Sequence, residues 1–178
     1  TTRGLMAFYW RVIEREGDPG ERLVWLSKLE PFSPSDDVLH ESSAQAWLQL
    51  EPPERARAIE ALERARRLNP TNAFYTMKQA RIEIARRRPK EASALASLAL
   101  ESEPNFLDAR LLRAEILILL GLKNEARLEL NEILLRQKAL RGMPLYTNYD
   151  RGLTVLDGDR FEKARRSLSG RSSRQKSK

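Results

Sequence analysis

The sequence contains no cysteine and only one histidine, His40. Disulfide bonds, thiolate metal sites and cysteine nucleophiles are therefore excluded, and most histidine-based metal or nucleophile sites lack the residues they need. No glycine-rich phosphate-binding loop is present either. Although His40 is followed by Ser42 and Ser43, we expect it to be a helix-surface histidine. The composition predicts a protein that is not an enzyme and that holds neither a metal nor a small-molecule cofactor.

Long apolar runs and sheet-forming patterns are also absent. The stretch GLMAFYW, residues 4–10, is shorter than the ~20 residues that a membrane-spanning helix needs, and Arg3 and Arg11 bracket it. Alternating β-branched residues are missing, so we expect almost no sheet. Leucine, alanine, arginine and glutamate dominate, which predicts helices through the middle of the chain. Because the sequence begins at Thr1 instead of a methionine, we expect a fragment of a longer protein.

The net charge of +7 belongs mainly to one end of the chain. Residues 165–178, RRSLSGRSSRQKSK, contain six lysines and arginines and no acid, so the rest of the chain carries only one of the seven net charges. A serine-rich basic tail of this kind is expected to be poorly structured by itself. It has no aromatic residue that could stack on a base, so nucleic acid is not the expected partner.

A repeat is present in the remaining sequence. RARRLNPTNAFY (64–75) and SLALESEPNFLD (97–108) read alike when Pro70 is aligned with Pro104, 34 residues later. A period of 34 indicates stacked helix pairs. Small or apolar residues recur at the same interval in four series: Ala46, Ala80, Ala114; Ala58, Ala92, Ala126; Leu62, Ala96, Leu130; and Ala65, Ala99, Ile133.

The repeating residues predict how each unit is built. One series of alanines, beginning at Ala46, falls on the first helix of each unit, and another, beginning at Ala58, falls on the second. Alanine at such points lets two helix backbones approach closely, and a bulkier residue there should overpack. A proline after the second helix cannot continue it and turns the chain into the next unit.

This pattern resembles the tetratricopeptide repeat family, which implies an all-α fold: a right-handed superhelix of stacked antiparallel helix pairs, or α-solenoid. Helix pairs are expected at 2–30, 37–69, 72–103, 106–140 and 145–168. Lys138 stands where a third proline is expected, so the helix that contains it should run past the usual stop. The domains expected are a degenerate N-terminal pair in 1–36, three repeats in 37–140, a degenerate C-terminal pair in 141–168 and a basic tail in 169–178.

In this family the first helices line the concave side of the superhelix, where peptides or a helix bind. Two interpretations stay open for Phe74, Met77 and Leu111: they either contact a partner or pack against neighbouring helices. Trp47 is expected to lie partly in the core. The mixture of aromatic, apolar and charged groups suits a protein or peptide partner. The resemblance implies nine groove residues: His40, Ser43, Trp47, Phe74, Met77, Arg81, Asp108, Leu111 and Glu115.

We therefore expect a non-catalytic scaffold for protein–protein interaction that binds a peptide or protein segment on its concave face. The alternative is attachment to an anionic surface, nucleic acid or membrane, through the basic tail, helped by the arginines at 86–88.

A narrower resemblance rests on LEPFSP (29–34), RLNPTNAFY (67–75) and EPNFLDARLLRAEIL (103–117). These segments look like the repeat region of bacterial O-antigen polymerase/ligase-like proteins. The resemblance implies an extramembrane appendage of a cell-envelope glycan-assembly membrane protein, on the periplasmic side of a bacterial inner membrane. Membrane contact would then come only through the parent chain or the basic tail.

Overall fold

The structure is a computed structural model that describes residues 2–169, so the predicted basic tail lies outside the described residues except for Ser169. Within this range the chain is helical and has no strand. The helices are α1 (Thr2–Arg15), α2 (Pro19–Leu29), a 3₁₀ helix (Glu30–Phe32), α3 (Asp37–Gln49), α4 (Arg55–Leu68), α5 (Ala73–Ala85), α6 (Pro89–Ser102), α7 (Leu107–Leu119), α8 (Lys123–Leu140), α9 (Asn148–Leu153) and α10 (Gly158–Ser169).

Neighbouring helices pack against each other in both halves of the chain, and the architecture is a helical solenoid of stacked helix pairs. In the first part of the chain α1 contacts α2, α2 contacts α3, and α3 contacts α4. Further along, α6 contacts α7, α7 contacts α8, and α10 packs on both α7 and α8. The predicted all-α repeat architecture is confirmed.

The chain divides into two compact units inside α5, between Ile82 and Glu83. We call the part up to Ile82 unit 1 and the part from Glu83 unit 2. One core cluster of unit 1 joins α3 to α4 through Ala44, Ala58 and Leu62, and a second joins α1, α2 and α3. The grouping of 37–140 as one block of three repeats stays a prediction.

The alanines at the repeat interval lie in the core, as the sequence predicts. Their burial fits their small size, since a methyl group lets the helix axes come closer than the 8–10 Å that larger contact residues set. Every member of the two all-alanine series is 0% exposed: Ala46, Ala80, Ala114, Ala58, Ala92 and Ala126.

Local sequence signals explain where several helices begin and end. The carboxylate of Asp36 accepts hydrogen bonds from the backbone N–H groups of Val38 and Leu39, at 3.0 and 3.2 Å, and starts α3. The segment SPSDD, residues 33–37, thus supplies the N-terminal cap of α3. α8 extends to Leu140, past Lys138, as the missing third proline predicts.

The turns after α5 and α7 share one backbone conformation but differ in sequence. Gly121 has φ +79° and Arg87, 34 residues earlier, has φ +61°. In both turns the following N–H bonds back across the helix end, from Arg88 to Glu83 and from Leu122 to Leu117. This is a Schellman-type C-terminus, which favours glycine in the left-handed position. Arg87 therefore occupies a strained backbone position, and glycine, Gly121, stands at the equivalent position of the next repeat.

Candidate functional site

A cleft of about 470 Å³ opens in unit 1 between α2, α3 and α4, and we call it the Trp47 cleft. Its α3 side consists of His40, Ser43 and Trp47, the complete trio that the sequence predicts for the first repeat. The spacing of these residues, three and then four along a helix, places them on one face. The other walls come from Leu23, Val24, Leu26 and Ser27 of α2, from Glu30, and from Arg57, Glu60, Ala61 and Arg64 of α4.

Trp47 is the aromatic anchor of this cleft. The guanidinium carbon of Arg57 lies 4.6 Å from the centre of the indole ring, which is a cation–π contact. One side of Trp47 packs on the core cluster of α3 and α4, so the ring is half-buried and held in place. Across the cleft Arg64 forms an exposed ion pair with Glu30 at 3.6 Å, which contributes little energy. Arg64 can therefore exchange Glu30 for another partner at low cost.

The amino-terminal end of α3 is fixed by a partly buried hydrogen-bond network. The Tyr75 hydroxyl donates to Asp37 Oδ2 at 2.7 Å, and the Asn69 side-chain amide donates to the same oxygen at 2.8 Å. Burial works to raise the pKa of Asp37, but these hydrogen bonds outweigh it and hold that pKa below its ordinary value. Burial and the bond to Asp37 raise the pKa of Tyr75 above its ordinary range. The network therefore holds Asp37 ionised and α3 in one position.

Two features of this cleft differ from the sequence-based expectations. His40 is only 6% exposed, so the prediction of a helix-surface histidine is wrong: the side chain is buried and lines the cleft. The concave-wall assignment also predicted neighbours from other first helices, whereas the cleft supplies α2 and α4, which are second helices. The concave-face assignment itself stays a prediction.

The second predicted trio lies on α5 and is mostly covered. Met77 is buried at 6% exposure, Phe74 is half-buried and Arg81 is exposed. Arg81 Nε lies 3.0 Å from the sulfur of Met77, so these two side chains are in contact. For Met77 the packing interpretation is the one that the structure supports.

The third predicted trio lies on α7 and is covered by α10. Leu111 is fully buried in the core of unit 2, so of the two interpretations left open for it the structure supports packing against neighbouring helices. The physical reason is that the apolar face of α10 packs over it. Asp108 and Glu115 are half-buried and are bridged by Arg160 of α10, at 2.7 Å and 2.5 Å.

Sequence reasoning missed the residues that other helices bring to these positions. Arg57 follows Trp47 by ten residues across a turn, and Arg160 follows Glu115 by 45. Neither separation is a repeat interval, so no periodic signal could have paired them. In residues 2–169 no group of His, Asp and Glu side chains is arranged to hold a metal ion. None of the described helices is both long and apolar enough to span a bilayer.

Stacked helix pairs with buried alanines at a period of 34 define the fold of tetratricopeptide repeat proteins. Neither a protein-family model nor a curated protein matches the sequence. Among solved structures, MamA matches with a TM-score of 0.69 and 18% identity over 80% of this chain and 82% of that chain.

Two further solved structures match over most of their length. YrrB, described as a TPR protein with an unusual peptide-binding site, matches with a TM-score of 0.59 and 16% identity over 92% of this chain and 78% of that chain. TTC0263, a thermophilic TPR protein from Thermus thermophilus, matches with a TM-score of 0.55 and 18% identity over 94% and 91%. These likenesses establish a tetratricopeptide repeat fold for this chain.

Proposed function

We propose that the protein is a non-catalytic interaction scaffold that binds a peptide or protein segment in the Trp47 cleft. The observation that carries the proposal is the convergence of His40, Ser43 and Trp47 in one open cleft of about 470 Å³. A volume of this size suits a small number of side chains. That YrrB, with the same fold, is described as having a peptide-binding site supports a peptide as the class of ligand.

The chemistry of the cleft favours a segment with one apolar or aromatic anchor and a nearby carboxylate. Trp47, Leu23 and Val24 offer an apolar surface for the anchor. Arg57 and Arg64 line the same cleft, and a guanidinium binds a carboxylate through paired hydrogen bonds. Aromatic and arginine side chains together are typical of residues that dominate binding energy.

The test is selection of short random peptides on immobilised full-length protein, followed by affinity measurement on variants. Trp47→Ala should weaken the selected peptides at least roughly tenfold, as expected for a central aromatic anchor. Arg57→Ala should weaken them without disturbing the core, because Arg57 is exposed and its guanidinium lies over the Trp47 ring. Circular dichroism verifies that each variant is folded.

Trp25→Ala is the matched control. Trp25 is also half-buried in unit 1 and also carries a cation, with Lys28 Nζ 4.2 Å from its ring, but it does not line the cleft. Peptide affinity should stay unchanged in this variant. Equal loss in the Trp25 and Trp47 variants, or full binding to folded Trp47→Ala, would contradict the proposal.

On the narrower resemblance we also propose that the chain is an extramembrane appendage of a bacterial cell-envelope glycan-assembly membrane protein. A row of apolar spans of about 20 residues in the coding sequence upstream of Thr1 would support this placement, and an upstream sequence without them would contradict it.

The alternative of attachment through the basic tail predicts a different result. Deleting residues 170–178 should leave peptide binding in the cleft intact, whereas binding to anionic vesicles or nucleic acid should fall and should depend steeply on salt. Loss of the selected peptides upon deletion would favour the tail as the binding element.

A further inference from the structure

Helix α10 lies in a groove formed by α7 and α8, and we call this the α7–α8 groove. Phe161, Ala164 and Leu168 of α10 are buried there, and their spacing of three and four residues forms a single apolar stripe. The groove side of the contact consists of buried α7 and α8 residues: Leu111, Ala114, Leu117, Ala126, Leu130 and Ile133. This is the arrangement of an amphipathic helix bound in a groove.

A charged clamp fixes the register of α10. Arg160 Nη1 donates to Asp108 at 2.7 Å, and its Nε and Nη2 donate to the two carboxylate oxygens of Glu115 at 3.0 and 2.5 Å. All three side chains are half-buried. Fork-shaped pairing of arginine with a carboxylate is among the stronger and more selective polar contacts. The groove therefore recognises an arginine placed one residue before the first apolar anchor.

The segment that leads into α10 is largely exposed. Residues 141–157 hold one six-residue helix, α9, and this connection exposes the apolar side chains of Met143 (56%), Tyr146 (82%) and Val155 (62%). Few buried apolar contacts and an exposed backbone are the features of segments that open locally at low free energy. Apart from Leu153, which is buried, and Leu156, which packs against the same core cluster as α10, the connection adds few apolar contacts that would hold α10 in the groove.

α10 also fills its site incompletely. An open cleft of about 460 Å³ runs beside it, with Leu112, Ile116 and Leu119 on the α7 side and Lys163 and Ser167 on the α10 side. Leu119 is 66% exposed. A longer apolar side chain at the position of Ser167 would cover this surface, which a small hydroxyl leaves open to water.

We propose that the α7–α8 groove is a binding site for an amphipathic helix of a partner protein, and that α10 is its resident occupant in the free chain. The partner helix carries an arginine directly before its first apolar anchor, a small residue where α10 has Ala164, and a large apolar residue where α10 has Ser167. A second copy of this chain would bring the same Ser167 and gain nothing over its own α10. This site is separate from the Trp47 cleft and is independent of the function proposed for it.

The test uses the full chain and two fluorescent peptides. One peptide has the sequence of residues 156–169, and the other carries Ser167→Leu in that sequence. In the full chain Arg160→Ala weakens the internal competitor, so the peptides, which keep their arginine, should bind this variant roughly tenfold more tightly than the wild type. The Ser167→Leu peptide should bind several-fold more tightly than the native peptide, because it buries additional apolar surface.

Arg165→Ala is the matched control, since Arg165 lies on the same helix and pairs with Glu162, three residues earlier in that helix, at 3.0 Å. Peptide affinity should not change in that variant. Hydrogen exchange provides a second measurement: in Arg160→Ala the amides of α10 should exchange faster while those of α7 and α8 keep their protection.

Three results would overturn the proposal. The first is that neither peptide binds Arg160→Ala although α10 exchanges faster. The second is that α7, α8 and α10 lose protection together, which would make α10 an integral part of the fold. The third is that Arg160→Ala forms dimers that the Ser167→Leu peptide does not dissociate, which would make a second copy the occupant.

Discussion

Replacing Ala92 with leucine tests whether the recurring alanines set the distance between neighbouring helices. Ala92 lies on α6 and is 0% exposed. Its counterparts in the preceding and following repeats, Ala58 and Ala126, are also alanines with no exposed surface. Leucine adds three carbons to a site that has no exposed surface. Overpacking of this kind costs about 1–3 kcal/mol, because side chains leave their preferred rotamers and the backbone shifts. For a chain of this length that corresponds to a fall of roughly 2–12 °C in Tm.

The assay is urea unfolding followed by circular dichroism at the helix band, with thermal unfolding alongside it. Ala94→Leu is the matched control, since Ala94 is an exposed residue two positions further along the same helix. The control removes differences in helix propensity and should change the free energy of unfolding by no more than about 0.5 kcal/mol. If Ala92→Leu is as stable as Ala94→Leu, the site has free space and the alanine series does not control helix approach.

Two further predictions concern a turn and a partly buried hydrogen bond. Arg87→Gly should stabilise the protein by about 0.5–1 kcal/mol in urea unfolding, because it relieves a left-handed backbone conformation, whereas Gly121→Ala should destabilise it by about 1 kcal/mol; equal effects of the same sign would contradict this. Tyr75→Phe should cost about 1–2 kcal/mol at pH 7, because it removes a hydrogen bond to an ionised carboxylate. Since the pKa of Asp37 is lowered in the folded state, the stability from its ionised form is present above about pH 4 and is lost as the pH falls through the folded-state pKa. The cost of Tyr75→Phe should therefore shrink at pH 3, with Tyr146→Phe, at an exposed tyrosine, as the control without effect; an undiminished cost at pH 3 would refute the assignment.

The helical repeat could be predicted because its signals are local or periodic. Ala80 and Ala114 recur at the interval of one unit, and each helix must turn its small residues toward a neighbour. Asp36 precedes α3 in a sequence typical of a cap, and its carboxylate accepts the expected backbone hydrogen bonds. The missing third proline predicts the extension of α8 past Lys138. Each of these features depends on a few neighbouring residues or on a fixed spacing.

The candidate sites were predictable only in part. The helical spacing of His40, Ser43 and Trp47 correctly placed these three side chains together, because it depends on one helix alone. The partners of Trp47 could not be foreseen in the same way, since Arg57 and Val24 belong to different helices with no periodic relation to it. The left-handed backbone conformation of Arg87 could not be predicted either, because arginine does not favour that conformation.

The sequence by itself determined that the chain is a stack of helix pairs. It also determined which positions must be small, because the alanines that contact neighbouring helices recur at a fixed interval. Only the tertiary structure decided which of the predicted groove positions remain open. Leu111 and Glu115 lie under α10 because Arg160 and Phe161, about fifty residues away in the chain, pack against α7. Contacts of that kind depend on how the last helix returns to the stack, which the spacing of residues along one helix does not specify.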